Sequence, residues 1–135
     1  MADLVQTAAS VVKVSGTTEN HTLGGTVTAG MPVKLASNVI TACSDDSAPN
    51  SAAYGVALNG GAIGQPVAVQ KDGVVNLGAT LSVGKVYLVS TAGGICPVDD
   101  IATGEFITIL GVALTTANLK LVITASGVAA AAAVS

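Results

Sequence analysis

The chain carries one pattern of glycines and short apolar runs twice, and this repeat limits what it can fold into. Gly30, Asp45-Asp46, Gly55-Val56-Ala57-Leu58, the alternating run 66–70 and Gly73-Val74 return as Gly84, Asp99-Asp100, Gly111-Val112-Ala113-Leu114, the run 120–124 and Gly127-Val128. The spacings are 84−30=54, 99−45=54, 111−55=56 and 127−73=54 residues. The second copy gains two residues before Gly111 and loses two after Leu114, so the register recovers. A doubled half-domain lets each half bury its apolar face against the other. Copies of the same apolar elements do not supply the asymmetry that a catalytic site needs.

The local pattern is that of strands. Val11–Val14 is β-branched. Thr26-Val27-Thr28 and Pro32–Leu35 alternate polar with apolar around Gly30. Val67–Gln70, Lys71-Asp72-Gly73 and Val74-Val75 read as a hairpin, because Asp-Gly between alternating runs favours a tight turn. Leu121–Thr124, Ala125–Gly127 and Val128 read as its counterpart, with Val67 matching Leu121. Short strands punctuated by turns predict an all-β fold, a small barrel or sandwich made of two pseudo-repeated halves. Helical periodicity is weak everywhere, with at most a turn near 99–103. The expected division is an N-terminal arm over residues 1–21, a duplicated β domain over 22–128 (halves of about 26–75 and 80–129), and a tail over 129–135.

Half of the residues are hydrophobic, but the only aromatics are Tyr54, Tyr87 and Phe106. A core of Val, Ala, Leu and Ile buries modest area per side chain, at roughly 25 cal/mol per Å2. With only 10% of residues charged, association that buries more apolar surface is expected. Five Lys against eight acidic residues, with no Arg, argue against a nucleic-acid partner. The apolar stretches are too short or too broken to cross a membrane as helices. Met1–Leu4 does not begin a secretory signal, so an intracellular origin is the default expectation.

Chemical candidates are few, and no cofactor is expected. Gly60–Gly64 lacks dinucleotide-binding spacing, and Gly84-Lys85 is followed by Val86 where a P-loop needs Ser or Thr. His21 is the sole histidine and lies in a polar stretch, so a Ser-His-Asp arrangement would rest on it alone. The doubled Asp45-Asp46 and Asp99-Asp100 lack the spaced oxygen ligands of a calcium loop and read as solvated turns. Cys43 and Cys96 are one residue out of register (96−43=53), which favours buried thiols and leaves a disulfide as the alternative. Residues 1–21 read either as a first edge strand or as an extended arm that adds a strand to a partner's sheet. On the arm reading Leu4, Val5, Val11, Val12 and Val14 are the partner-binding side chains.

The order Ala29-Gly30-Met31-Pro32-Val33, Tyr54–Leu58, Pro66–Val69, Gly73–Val75, and its second copy through Phe106–Leu114 and Leu119–Val128, resembles the capsid decoration (cement) proteins of tailed bacteriophages. The resemblance covers about residues 26–128. It implies a compact β domain, often a homotrimer, on the outer capsid surface of a virion, made in the host cytoplasm. Its partner would be the major capsid protein, touched by an N-terminal arm, and its role structural and non-enzymatic. A head-fibre or tail-fibre module is the alternative among structural proteins. A host-surface or carbohydrate-binding module is disfavoured by two Tyr and no Trp to stack on sugar rings.

Overall fold

A computed structural model describes residues 4–100 and 103–129. Its strands are β1 (Val11–Ser15), β2 (Thr18–Leu23), β3 (Pro32–Ala36), β4 (Val39–Ala42), β5 (Gly55–Ala57), β6 (Pro66–Gln70), β7 (Gly73–Leu77), β8 (Val86–Val89), β9 (Ile95–Pro97), β10 (Phe106–Ala113) and β11 (Asn118–Ala129). The fold is all-β, as expected. Strands β2-β4-β3-β5-β6 close a barrel, and β1-β7-β11-β10-β8-β9 form a curled six-stranded sheet. One short helix, α1 (Ala48–Ser51), went unforeseen. Ser47 caps it by accepting from Asn50 N, and Pro49 sits in its first turn, where its missing N–H costs nothing.

The two sheets repeat one strand order. Next to one another lie β4-β3-β5-β6-β2 in the first and β9-β8-β10-β11-β7 in the second. Pro32 and Val33 pair with Val56 and Gly55, and their counterparts Val86 and Tyr87 pair with Val112 and Gly111. A Cβ on Gly55 would collide with the carbonyl oxygen of Gln70, and one on Gly111 with that of Lys120. The Gly-Val-Ala motif therefore recurs because each unit brings a neighbouring backbone against that glycine.

The boundaries of the repeat differ from those expected. Strand β7 belongs to the second unit, because it pairs with β11 as β2 pairs with β6. The units are thus about 18–70 and 73–129. Val112 pairs with Lys120 as Val56 pairs with Gln70. Gln70 is therefore the counterpart of Lys120, where the 54-residue register would have put Pro66, and Val67 does not match Leu121. The β10–β11 connection is six residues shorter than its counterpart (112−56=56, 120−70=50), which leaves β11 four residues back from the 54-residue register, an even number that keeps side chains on the same face.

The expected Val67–Val75 hairpin does not form. Gly73 has the positive φ of a turn (81°), but β6 enters the barrel and β7 the open sheet. The segment joining β1 to β2 makes the same crossing beside it. Thr17 N donates to Asp72 Oδ1 at 2.7 Å, β1 pairs with β7, and β2 pairs with β6. Each connection trades its hairpin partner for a strand of the other. Likewise, 121–128 is continuous strand within β11 rather than a second hairpin.

An arm that stands apart through residue 21 is also not what forms. Val11 pairs with Leu77 and is buried in the core, and β2 closes the barrel against β4 and β6. Only by adding β2 does the first unit satisfy the edges of β4 and β6, since a closed barrel has none. The edge-strand reading of the segment is the one that describes β1. Of the tail, Ala129 ends β11, and 130–135 lie outside the described residues.

Leu23, Val27, Val33, Ile40, Ala57, Val67 and Val69 fill the barrel. The larger cluster joins Val75, Leu77, Tyr87, Val89, Leu110 and Leu119 of the open sheet to Cys43 and Val56 of the barrel. A satellite of Leu88 and Cys96 lies under Val86, Val98, Ile107 and Ile109. Cys43 and Cys96 are thus buried thiols in separate clusters, and no disulfide joins them. Burial pushes the Cys43 thiol up to about 12.

Candidate functional site

The five side chains expected to touch a partner fall into two sets. Leu4 packs against the main core, its N–H donating to the Ile95 carbonyl, and Val11 is buried. Val5, Val12 and Val14 are 90%, 56% and 54% exposed. Val11, paired with Leu77, is the one buried residue of β1; from Val12 to Ser15 the strand is exposed, with an irregularity in its pairing between Lys13 and Ser15. Val12 and Val14 thus lie exposed on β1, an edge strand of the six-stranded sheet, and Val5 precedes that strand. Lys13 lies between Val12 and Val14, and its Nζ donates to the Gly16 carbonyl.

The richest polar cluster lies on the barrel wall. Glu19 on β2 accepts through Oε1 from Tyr54 Oη at 2.6 Å and from His21 Nε2 at 2.9 Å. Its Oε2 accepts from Lys71 Nζ at 3.2 Å, and that ammonium sits 4.6 Å from the centre of the Tyr54 ring. The rings of His21 and Tyr54 meet edge to face, with centroids 5.6 Å apart. The Tyr54 hydroxyl, then His21, then Lys71 hold the Glu19 carboxyl down at about 2. A carboxylate so well supplied with donors is a poor proton acceptor near neutrality. The cluster clamps β2 to the residue before β5 and the turn after β6. His21, the expected weak catalytic candidate, is part of that clamp.

The doubled aspartates serve different ends. Asp45 is buried, not solvated as expected: Oδ1 accepts from Thr91 Oγ1 at 3.0 Å, and its carbonyl accepts from Phe106 N. Asp46 accepts from the Asn50 side chain across α1. Asp99 pairs with Lys85 at 3.1 Å, which holds the Asp99 carboxyl below and the Lys85 ammonium above their usual ranges. Among the described residues no three His, Cys, Asp or Glu side chains gather as a metal site would need. Spacing alone did not reveal the Glu19 clamp. Its signal was two polar residues on alternate positions of β2, and its partners come from 35 and 52 residues away.

The chain matches no protein-family model, and no curated protein matches it.

Proposed function

We propose that this chain is a structural, non-enzymatic virion protein that binds the outer surface of a capsid and bridges neighbouring major capsid subunits, acting as a homotrimer. The observation that carries the reading is the N-terminal edge, where Val5, Val12 and Val14 project from a segment that is itself braced by the core. A strand already paired with β7 loses less conformational entropy on docking than an unpaired arm would. The resemblance to decoration proteins supplies the partner, and the low charge of the chain suits a crowded protein surface. A ligand that binds only the assembled shell stabilises it by mass action, and three edges per trimer multiply weak contacts.

The test is co-sedimentation with undecorated capsids of the phage whose genome encodes the chain. Wild type pellets with them and raises their disruption temperature. A Val12→Asp/Val14→Asp chain that stays folded pellets at least ~30-fold more weakly, as expected for carboxylates forced into an apolar contact. Wild-type protein that stays in the supernatant at all concentrations refutes the reading.

A further inference from the structure

Lys34 meets a side-chain amide rather than a charge. Lys71 and Lys85 pair with the carboxylates of Glu19 and Asp99, and Lys13 donates to a backbone carbonyl. Lys34 Nζ, on β3, instead donates to Oδ1 of Asn50 in α1, 16 residues further on. The other end of the same amide is also held, because Asn50 Nδ2 donates to Asp46 Oδ1 at 2.9 Å. An amine, a carboxamide and a carboxylate thus stand in a row.

Backbone contacts fix the row from both sides. On β3, Lys34 is paired with Thr41 of β4, and Val33 before it with Gly55 of β5. In α1, Asn50 N donates to Ser47 Oγ at 3.2 Å, and the Asn50 carbonyl accepts from Ser44 N at 2.9 Å. Ser51, next to it, is fully buried, with its hydroxyl on the Ala48 carbonyl. The second unit has no such row. Pro32 and Val33 correspond there to Val86 and Tyr87, which puts Leu88 at the place of Lys34. Leu88 is buried with Cys96 against Val86, Val98, Ile107 and Ile109. One unit closes this face by apolar packing and the other with groups that can react. A carboxylate would satisfy a half-buried lysine, whereas an amide also brings an electrophilic carbon, one bond from the oxygen that the amine touches.

We propose that Lys34 and Asn50 join in an isopeptide bond within the chain, with release of ammonia. Lys34 is half-buried, so its ammonium can give a proton to water. The freed amine attacks Asn50 Cγ, forming the Cγ–Nζ bond while the carbonyl electrons move onto Oδ1. Both nitrogens then sit on one carbon, and Asp46, already on Nδ2, takes a proton from Nζ and returns it to Nδ2. The electrons fall back from Oδ1, the Cγ–Nδ2 bond breaks, and the departing ammonia takes up the proton first given to water. An ammonium and a primary amide become a secondary amide and an ammonium ion, and the balance needs no oxidant or co-reactant. A side-chain amide is a poor acyl donor, and the fixed placement of the amine against it is what drives the step. The bond ties β3 to α1 and closes a loop around β4, which restricts the unfolded chain as other cross-links do. It forms once per chain, and the inference is independent of the capsid reading.

The test is mass spectrometry of the full chain, kept folded at neutral pH for days, then unfolded and digested with trypsin. Wild type is expected to be one ammonia lighter than its sequence. Trypsin cuts after free lysine, so 14–71 should appear as a single peptide with Lys34 joined to Asn50, in place of 14–34 and 35–71. Lys34→Arg keeps a donor and a charge but offers no attacking amine, and should retain full mass. Asp46→Asn, at an exposed position, should slow the reaction at least ~100-fold, as loss of a proton relay does. Wild type held in urea should not react. A folded wild-type chain of full mass that yields 14–34 and 35–71 overturns the inference. So does a loss of ammonia that survives in Lys34→Arg, since it would come from an asparagine closing on its own backbone. Equal reaction in urea overturns the fold as its cause, and an Asp46→Asn chain that reacts as fast as wild type overturns the relay assigned to Asp46.

Discussion

Replacing Gln70 by Leu should unfasten the crossing where the chain passes between its two sheets. Gln70 is fully buried at the end of β6, and its Nε2 donates to the carbonyls of Ser15 (2.7 Å), Asp72 (2.8 Å) and Val74 (3.0 Å). Those three oxygens belong to the end of β1, the turn and the start of β7. Leu has a similar volume, so the cavity left is small, and the loss is mainly one of donors. An amide has two hydrogens, so about two carbonyls are stranded, at about 2 kcal/mol each. The wild-type Oε1 has no partner, and removing it returns roughly 1.5 kcal/mol. The net loss is about 2.5 kcal/mol. With an unfolding entropy of about 2.1 cal/mol/K per residue, this lowers Tm by about 9 °C. Urea unfolding and thermal melts measure both. Gln70→Glu separates donor from shape, because only its protonated form donates. Facing carbonyls, its folded pKa is raised above the unfolded value. Whatever stability it retains is therefore present at low pH and lost as pH rises through that folded pKa. Should Gln70→Leu cost less than about 0.5 kcal/mol, or stabilise, the buried amide is not what holds the crossing.

Other consequences can be checked as directly. Deleting residues 1–15 removes Val11 from the core, the β1 ladder and the Ser15 acceptor, so the truncated chain should lose more than about 3 kcal/mol or fail to fold; a Tm within about 3 °C of wild type would refute the integral role of β1. Gly111→Ala sets a Cβ against the Lys120 carbonyl and should cost more than about 3 kcal/mol by chemical denaturation, while a neutral result would show that β11 can move aside. Glu19 should titrate with a midpoint at about 2, well below its ordinary 4.5, in a carboxyl-detected NMR titration. Since its folded pKa is lowered, its contribution to stability is present above about pH 4.5 and drains away as pH falls towards 2; Glu19→Gln should show no such loss, and a midpoint at the ordinary value would dismiss the clamp.

The all-β class and the doubling were legible because glycine spacing and alternation are local signals. Gly55 and Gly111 carried the most information, as positions where a partner strand passes too close for a Cβ. Partner choice was not legible. Lys71-Asp72-Gly73 has every local mark of a hairpin turn, and the chain does bend there, yet the strands on either side pair elsewhere. Nothing in the neighbouring sequence says that β1 will take the place beside β7. For the same reason the N-terminal segment read as separable, since its β-branched residues suit an edge strand and an arm alike. Asp45 read as a solvated turn because its acceptor role depends on Thr91 and Phe106, from the other unit.

The crossing at Gly16 and Asp72 also sets an order of events on the ribosome. Every strand of the barrel lies within 18–70, so it can close as soon as that stretch has emerged. The open sheet cannot, because β1, the first of the described strands, pairs with β7, which in turn pairs with β11, the last of them. Strand β1 therefore waits unpaired at least until β7 is made, and the sheet around the pair stays incomplete until β11 is made. Long-range pairing of this kind is slow to form, and an exposed apolar strand is at risk of meeting another chain first. In refolding, amides of β2–β6 should gain protection from exchange before those of β1 and β7. Crowding many nascent copies together would be the condition under which this protein is hardest to make.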